Sequence, residues 1–179
     1  AARQRILNVV KPTIMATIDG DTRIDGTPVE PGDAVVVATS GTSGVAKAAV
    51  LTMSAVEASA RATTERLNVS LRDTWLACLP PSHVGGLSVI TRSLIMGTSL
   101  ISVPNFSPDS YEEAAKSGAT LVSLVSTALQ RIDPSLFRTI VLGGSRQASQ
   151  LPANCVTTYG LTETGSGVVY NGKALRGVE

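Results

Sequence analysis

Nine consecutive residues, Thr39-Ser40-Gly41-Thr42-Ser43-Gly44-Val45-Ala46-Lys47, bring four hydroxyls, two glycines and a lysine together between two apolar runs. Glycines let backbone N–H groups approach an anion, hydroxyls add donors and the lysine adds a mobile positive charge, so a phosphate chain suits such a loop. It is not a Walker loop, which needs glycine directly before the lysine and a helix directly after it. Here Ala46 precedes Lys47 and a strand-like run follows. A solvated Ser/Gly hairpin has the same composition, and the loop alone leaves both readings open.

Three further stretches carry reactive types. Pro80-Pro81-Ser82-His83-Val84-Gly85-Gly86-Leu87 holds the sole histidine, the side chain whose ordinary pKa lies nearest neutrality. Leu142-Gly143-Gly144-Ser145 and Tyr159-Gly160-Leu161-Thr162-Glu163-Thr164 each follow an apolar run. Taken singly, each has an ordinary explanation: a histidine buttressing its loop, a tight glycine turn, a solvated glutamate. Arg92 interrupts an otherwise apolar helix-like segment and reads equally as an exposed arginine or as one turned into a pocket. Asp19, Asp21, Asp25 and Glu30 fit four positions of a calcium-loop template, but Arg23 and Ile24 break it at positions five and six. With one histidine a Cys/His zinc site is excluded, and with no Gly-x-Ser-x-Gly elbow a serine hydrolase has little support.

The elements that must position these residues alternate along the chain. Apolar runs at 34–38, 48–51, 75–79, 99–103, 120–125, 139–142, 156–159 and 167–170 read as strands. Helices are expected at 54–67, where Val56, Ala60, Thr63 and Leu67 form one stripe, and at 87–96, where Leu87, Ile90 and Leu94 are spaced for a buried face and Gly97 offers a stop. Short helices at 110–116 and 127–131 complete a β-α-β-α rhythm, which favours an α/β fold: a layered sheet with flanking helices. Ligands in such sheets gather outside the carboxyl ends of strands, so the loops at 39–47, 80–86, 143–146 and 160–165 are the ones to inspect.

The 179 residues form a single expected domain, 1–179, able to bury roughly 70% of the extended chain's surface without staples. Only 16% of residues are charged and 3% aromatic, which argues against disorder and against a nucleic-acid surface. Cys78 and Cys155 lie in apolar runs and read as reduced core thiols. No segment approaches the length of a membrane span or a signal peptide, so the expectation is a cytoplasmic protein without a membrane partner.

The order of the four motifs resembles the adenylate-forming acyl-CoA synthetase superfamily. Within it, His83 to Ser93, Ser123-Leu124-Val125 and Val169-Tyr170-Asn171-Gly172-Lys173-Ala174-Leu175-Arg176-Gly177-Val178 look like the o-succinylbenzoate:CoA ligases of menaquinone biosynthesis. The resemblance implies the core of an N-terminal adenylation domain. It also implies a ligase in which a carboxylate attacks the α-phosphate of ATP to give an acyl-adenylate and pyrophosphate, after which coenzyme A displaces AMP. It gives the β- and γ-phosphates to Thr39, Ser40, Gly41, Thr42, Ser43, Gly44 and Lys47, the α-phosphate to Thr162, and magnesium to Glu163. Gly143, Gly144, Ser145, Tyr159 and Gly160 would border the nucleotide. His83, Gly85, Arg92, Ser123 and Leu161 would border the acid, with Arg92 meeting the second carboxylate of o-succinylbenzoate. His83, Lys47, Thr162 and Glu163 form the implied catalytic set, and ATP, Mg2+ and coenzyme A are the implied cofactors.

The sequence departs from the family at Ala46 and Ala48, where proline and glycine usually flank the loop lysine. The family also continues to a ribose-binding aspartate, a hinge and a small C-terminal domain with a catalytic lysine. The expectation is therefore a fragment of a ligase with little activity alone, its C-terminal part supplied elsewhere or a homo-oligomer formed. A non-catalytic nucleotide- or acyl-binding remnant and an aryl- or fatty-acyl-CoA ligase are the alternatives.

Overall fold

A computed structural model describes residues 2–39, 47–144 and 150–178. The chain divides into two compact units, Ala1–Ser54 and Ala55–Glu179. In the first, helix α1 (Ala2–Val10) precedes the hairpin of β1 (Ile14–Thr17) and β2 (Gly20–Arg23). Strand β3 (Asp33–Thr39) then pairs antiparallel with β4 (Lys47–Thr52), burying Val37, Ala49 and Leu51. The strands expected at 34–38 and 48–51 are present; α1, β1 and β2 are additional elements, and the two short hairpin strands are largely exposed, without apolar alternation.

The second unit is built on a seven-stranded sheet. Its strands are β5 (Thr74–Ala77), β6 (Ser99–Ser102), β7 (Leu121–Val125), β8 (Thr139–Gly143), β9 (Cys155–Gly160), β10 (Gly167–Tyr170) and β11 (Lys173–Ala174). Their spatial order is β11-β10-β9-β8-β7-β5-β6. From β6 to β9 all pairings are parallel, and β10 and β11 add an antiparallel edge. All eight strands anticipated from apolar runs form, counting β3 and β4; the five parallel ones, β5 to β9, are near-continuously apolar because both their faces are covered.

Side-chain alternation divides the core in two. Trp75, Ala77, Leu121, Val141 and Tyr170 point to one face, with Leu67 and Val89 packed on them from α2 (Met53–Arg66) and its following turn and from α3 (Val84–Met96). Leu76, Cys78, Val122, Leu124, Ile140, Leu142 and Cys155 point to the other, under α4 (Pro108–Lys116) and the short α5 (Ser126–Leu129), which contribute Tyr111, Ala114 and Ala128. Cys78 and Cys155 are free and buried. Among the described residues no helix is long and apolar enough to cross a membrane.

Helix α3 differs from its expected form in two ways. It starts at Val84 rather than Leu87, because the two glycines that read as loop are accommodated in its first turn. Its fully buried face is Gly86, Ser88, Val89, Arg92 and Ser93; of the expected stripe Leu87 and Ile90 are half-buried, Ile90 against the Trp75 cluster, and Leu94 is 75% exposed. Small residues let the helix lie close to the sheet, which the leucine spacing did not reveal. Its end is as expected: Gly97 takes the left-handed conformation, φ 69°, and its N–H bonds to the Ser93 carbonyl.

Candidate functional site

Strand β5 lies between β6 and β7, so the chain leaves β5 in one direction and returns to build the sheet in the other. Carboxyl ends of strands at such a reversal leave a crevice that neither crossover fills. A cavity of about 510 Å3 lies there. Its wall takes Leu79, Pro80 and His83 after β5, Val84, Gly85, Gly86, Ser88 and Arg92 from α3, and Ser123, Leu124 and Val125 from β7. The remainder comes from Val141 and Gly143 on β8 and Gly144 just after it, Thr158, Tyr159 and Gly160 on β9, and Ser166, Gly167 and Tyr170 at β10.

The His83 segment is fixed by its backbone. Its N–H donates to the Pro80 carbonyl at 3.2 Å, and its own carbonyl accepts from the N–H groups of Gly86 and Leu87 at 3.0 Å each. The imidazole makes no capping bond to α3 and is exposed at the helix N-terminus, so the backbone and not the ring buttresses this turn. A Cβ on Gly86 would overlap the carbonyl oxygens of Leu79 and Pro80, which explains a glycine inside the first helical turn. That N-terminus opens beside the cavity with its unpaired N–H groups and positive dipole end.

Arg92 is the one Arg, Lys, Asp or Glu in the wall, and it is only 3% exposed. Its Nε and Nη1 are buried without a hydrogen-bond partner among the described residues. Burial pulls its pKa down from the ordinary arginine value, and the neighbouring Tyr170 opposes that shift. Of the two readings open from sequence, the pocket-facing one holds.

The far wall is held by α2. Thr63 and Tyr170 share a hydroxyl hydrogen bond of 3.1 Å, Arg66 donates to the Tyr170 carbonyl at 3.0 Å, and Ser59 bonds Ser166. Gly160 and Gly167 face one another across β9 and β10. A Cβ on the first would meet the Ser166 backbone, and one on the second the Thr158 hydroxyl, so this end of the sheet is closed tightly.

The expected site residues thus separate. His83, Gly85, Arg92, Ser123, Gly143, Gly144, Tyr159 and Gly160 converge on one cavity. Leu161, Thr162 and Glu163 follow β9 in a single 3-10 turn just beyond the cavity wall, with Leu161 and Glu163 exposed. Thr164 ties that turn down, accepting from the Leu161 N–H at 2.9 Å and donating toward the Ser166 carbonyl at 2.7 Å. Thr39 and Lys47 end β3 and begin β4, paired in register in the first unit, and Ser40, Gly41, Thr42, Ser43, Gly44 and Ser145 lie outside the described residues. Sequence reasoning missed Ser88, Thr158, Ser166 and Tyr170. Thr158 and Tyr170 are register partners on the Val156 face of the sheet, a signal available from period-two alternation once the strands were read.

A doubly covered, largely parallel sheet with a mainly apolar cavity and one buried cation over its reversal point is an α/β domain with a crevice where such sheets hold small ligands. The family model described as AMP-binding enzyme matches residues 7–178, and the chain belongs to that family. It is 36% identical over 147 residues to a 2-succinylbenzoate–CoA ligase of Bacillus anthracis, an alignment covering 73% of this chain and 30% of that protein. Among solved structures it is similar to o-succinylbenzoate CoA synthetase (MenE) of Bacillus subtilis in complex with the acyl-adenylate intermediate OSB-AMP. That likeness has TM-score 0.72 and 26% identity over 87% of this chain and 38% of the other. The same enzyme in complex with ATP and magnesium ion gives TM-score 0.67 and 27% identity over 83% and 35%. The chain therefore spans about 30% of the length of the curated relatives it matches.

Proposed function

We propose that this sequence supplies nucleotide and acid pockets of an AMP-forming acid:CoA ligase whose acid is o-succinylbenzoate. The observation that carries the reading is Arg92: a buried guanidinium, without a carboxylate partner among the described residues, in the wall of a mainly apolar cavity. A buried charge with no partner costs several kcal/mol, a cost that an incoming anion offsets. An aromatic dicarboxylate offers a ring for Val84, Leu124 and Val141 and a second carboxylate for Arg92. A fatty acid would set an apolar tail against the charge.

Both reactants of the first step are anions, so the residues' work is to align them and offset their repulsion. His83, exposed at the cavity's edge beside the α3 N-terminus, orients the carboxylate that attacks. Gly143, Gly144, Tyr159 and Gly160 border the nucleotide, Thr162 meets the α-phosphate and Ser123 and Gly85 line the acid. The β- and γ-phosphates are given to residues 39–44 and Lys47, a role resting on residue types and motif order alone. A single exposed carboxylate, Glu163, next to a phosphate site fits Mg2+, which takes oxygen ligands from few carboxylates and from the phosphates themselves. Bound there, the ion would offset phosphate charge. Coenzyme A is the second-step substrate, and a small C-terminal domain, a cytoplasmic setting and one adenylation domain spanning both units belong to the same proposal.

Titration calorimetry tests it. The chain is expected to bind ATP-Mg2+ and o-succinylbenzoate, and binding of neither overturns the reading. A second reading, a fatty-acyl or aryl monocarboxylate ligase, predicts that Arg92→Ala leaves acid selection unchanged.

A further inference from the structure

A substrate-binding arginine must keep one orientation without surrendering its charge. A carboxylate neighbour would fix the guanidinium but neutralise it and occupy its donors. No carboxylate does this for Arg92: the ion pair seen among the described residues joins Arg138 to Asp73. What reaches Arg92 is an indole, with its Cζ lying over the Trp75 ring at 5.0 Å from the centroid. Trp75 sits in β5, between β6 and β7, is fully buried among Val89, Leu121 and Tyr170, and forms no part of the cavity wall. Its Nε1 is buried with no hydrogen-bond partner among the described residues, so the indole is not there to donate a bond. The face of the ring is what it presents to the arginine.

We propose that Trp75 is a positioning residue for the acid site: its ring face holds the Arg92 guanidinium at the cavity while leaving the charge and the N–H donors for the second carboxylate of the substrate. This rests on the reading of the cavity as an acid pocket. A π face attracts a cation without accepting its N–H groups as a carboxylate would, and tryptophan does so best. Guanidinium donors lie in the ion's own plane, so a cation held against a ring still offers a two-pronged edge to an incoming carboxylate. The protein commits neither Nε nor Nη1 to a neighbour of its own, so the charge is not already spent on an internal partner.

The test compares calorimetric affinities of the chain for three probes: AMP, o-succinylbenzoate, and 4-oxo-4-phenylbutanoate, which lacks the ring carboxylate. The wild-type chain is expected to prefer the dicarboxylate. Trp75→Leu should weaken o-succinylbenzoate about 10-fold and leave the monocarboxylate and AMP within about twofold, while Trp75→Phe, which keeps a smaller face, should lose only about threefold. The proposal is overturned where both variants bind AMP normally and retain the full dicarboxylate preference. Should Trp75→Leu fail to fold, as judged by circular dichroism, Trp75→Phe decides by the same comparison. A wild-type chain that does not bind AMP counts against the proposed reaction, and the dicarboxylate preference still decides the role of Trp75.

Discussion

At the scale of single residues, binding and stability pull against each other at Arg92. Its guanidinium is buried over Trp75 without an anion, so the folded chain carries a desolvated charge that water would stabilise better. Arg92→Met fills similar volume and removes that cost. The expected result is a chain more stable by about 1–4 kcal/mol in urea titration. Its affinity for o-succinylbenzoate should fall roughly 10- to 100-fold. An Arg92→Met chain less stable than wild type would mean that the arginine is already satisfied in the free protein. Gly86 makes the opposite point, since its worth is the space it leaves. An added methyl meets the carbonyl oxygens of Leu79 and Pro80, both backbone atoms that cannot rotate away. Gly86→Ala is expected to lower stability by about 1–3 kcal/mol in the same titration, by overpacking.

At the scale of elements, the amino ends of three strands are joined through one carboxylate. Asp73, just before β5, accepts from the Ser70 N–H and hydroxyl, from the Thr120 hydroxyl ahead of β7 and from Arg138 Nε ahead of β8. Burial alone would raise its pKa, but these hydrogen bonds and the Arg138 charge outweigh it and hold the carboxyl below the usual value of 3.8. A group depressed on folding adds stability that is complete above its unfolded pKa and disappears as pH falls through the folded one. Asp73→Asn is therefore expected to lower the melting temperature at pH 7, by about 1–3 kcal/mol in free energy. The gap to wild type should begin to close only as pH falls below about 4, and close fully beneath the depressed folded pKa. Parallel curves across that range would show that Asp73 is not the titrating group. This junction was invisible in the sequence, as was the order of strands that creates the cavity. Individual strands were legible because Thr139 to Leu142 or Leu121 to Val125 are apolar on both faces, a local property. That β5 separates β6 from β7 is a property of the crossovers, and it alone puts Trp75, Ser123 and Thr158 on one face beneath α3. The direction of Arg92 failed to show for a related reason: leucine spacing pointed to a stripe of α3 that is only partly covered and ends in exposed Leu94, whereas Gly86, Ser88 and Ser93 form the fully buried face beside it.

At the scale of the molecule, both apolar clusters belong to the unit from Ala55 onward, one on each face of the sheet. The thiols report on the integrity of one of them. Burial pushes Cys78 up to about 11 and raises Cys155 as well, so at pH 8 neither forms appreciable thiolate. Ellman's reagent is expected to label neither in the native chain and both in urea. The centre of the parallel strands β6-β5-β7-β8-β9 is β7, where Leu121 and Val122 are fully buried on opposite faces. A core with both faces covered by its own residues is expected to fold alone, so a shortened chain beginning at Met53 should unfold in one cooperative transition. Within it, Leu121→Ala should cost about 2–5 kcal/mol. Slow hydrogen exchange should concentrate in the β7 and β8 amides, whose ladder is the interior of the parallel sheet. A shortened chain with uniform, fast exchange would mean that the sheet is not self-sufficient and that residues 1–52 are part of its stability.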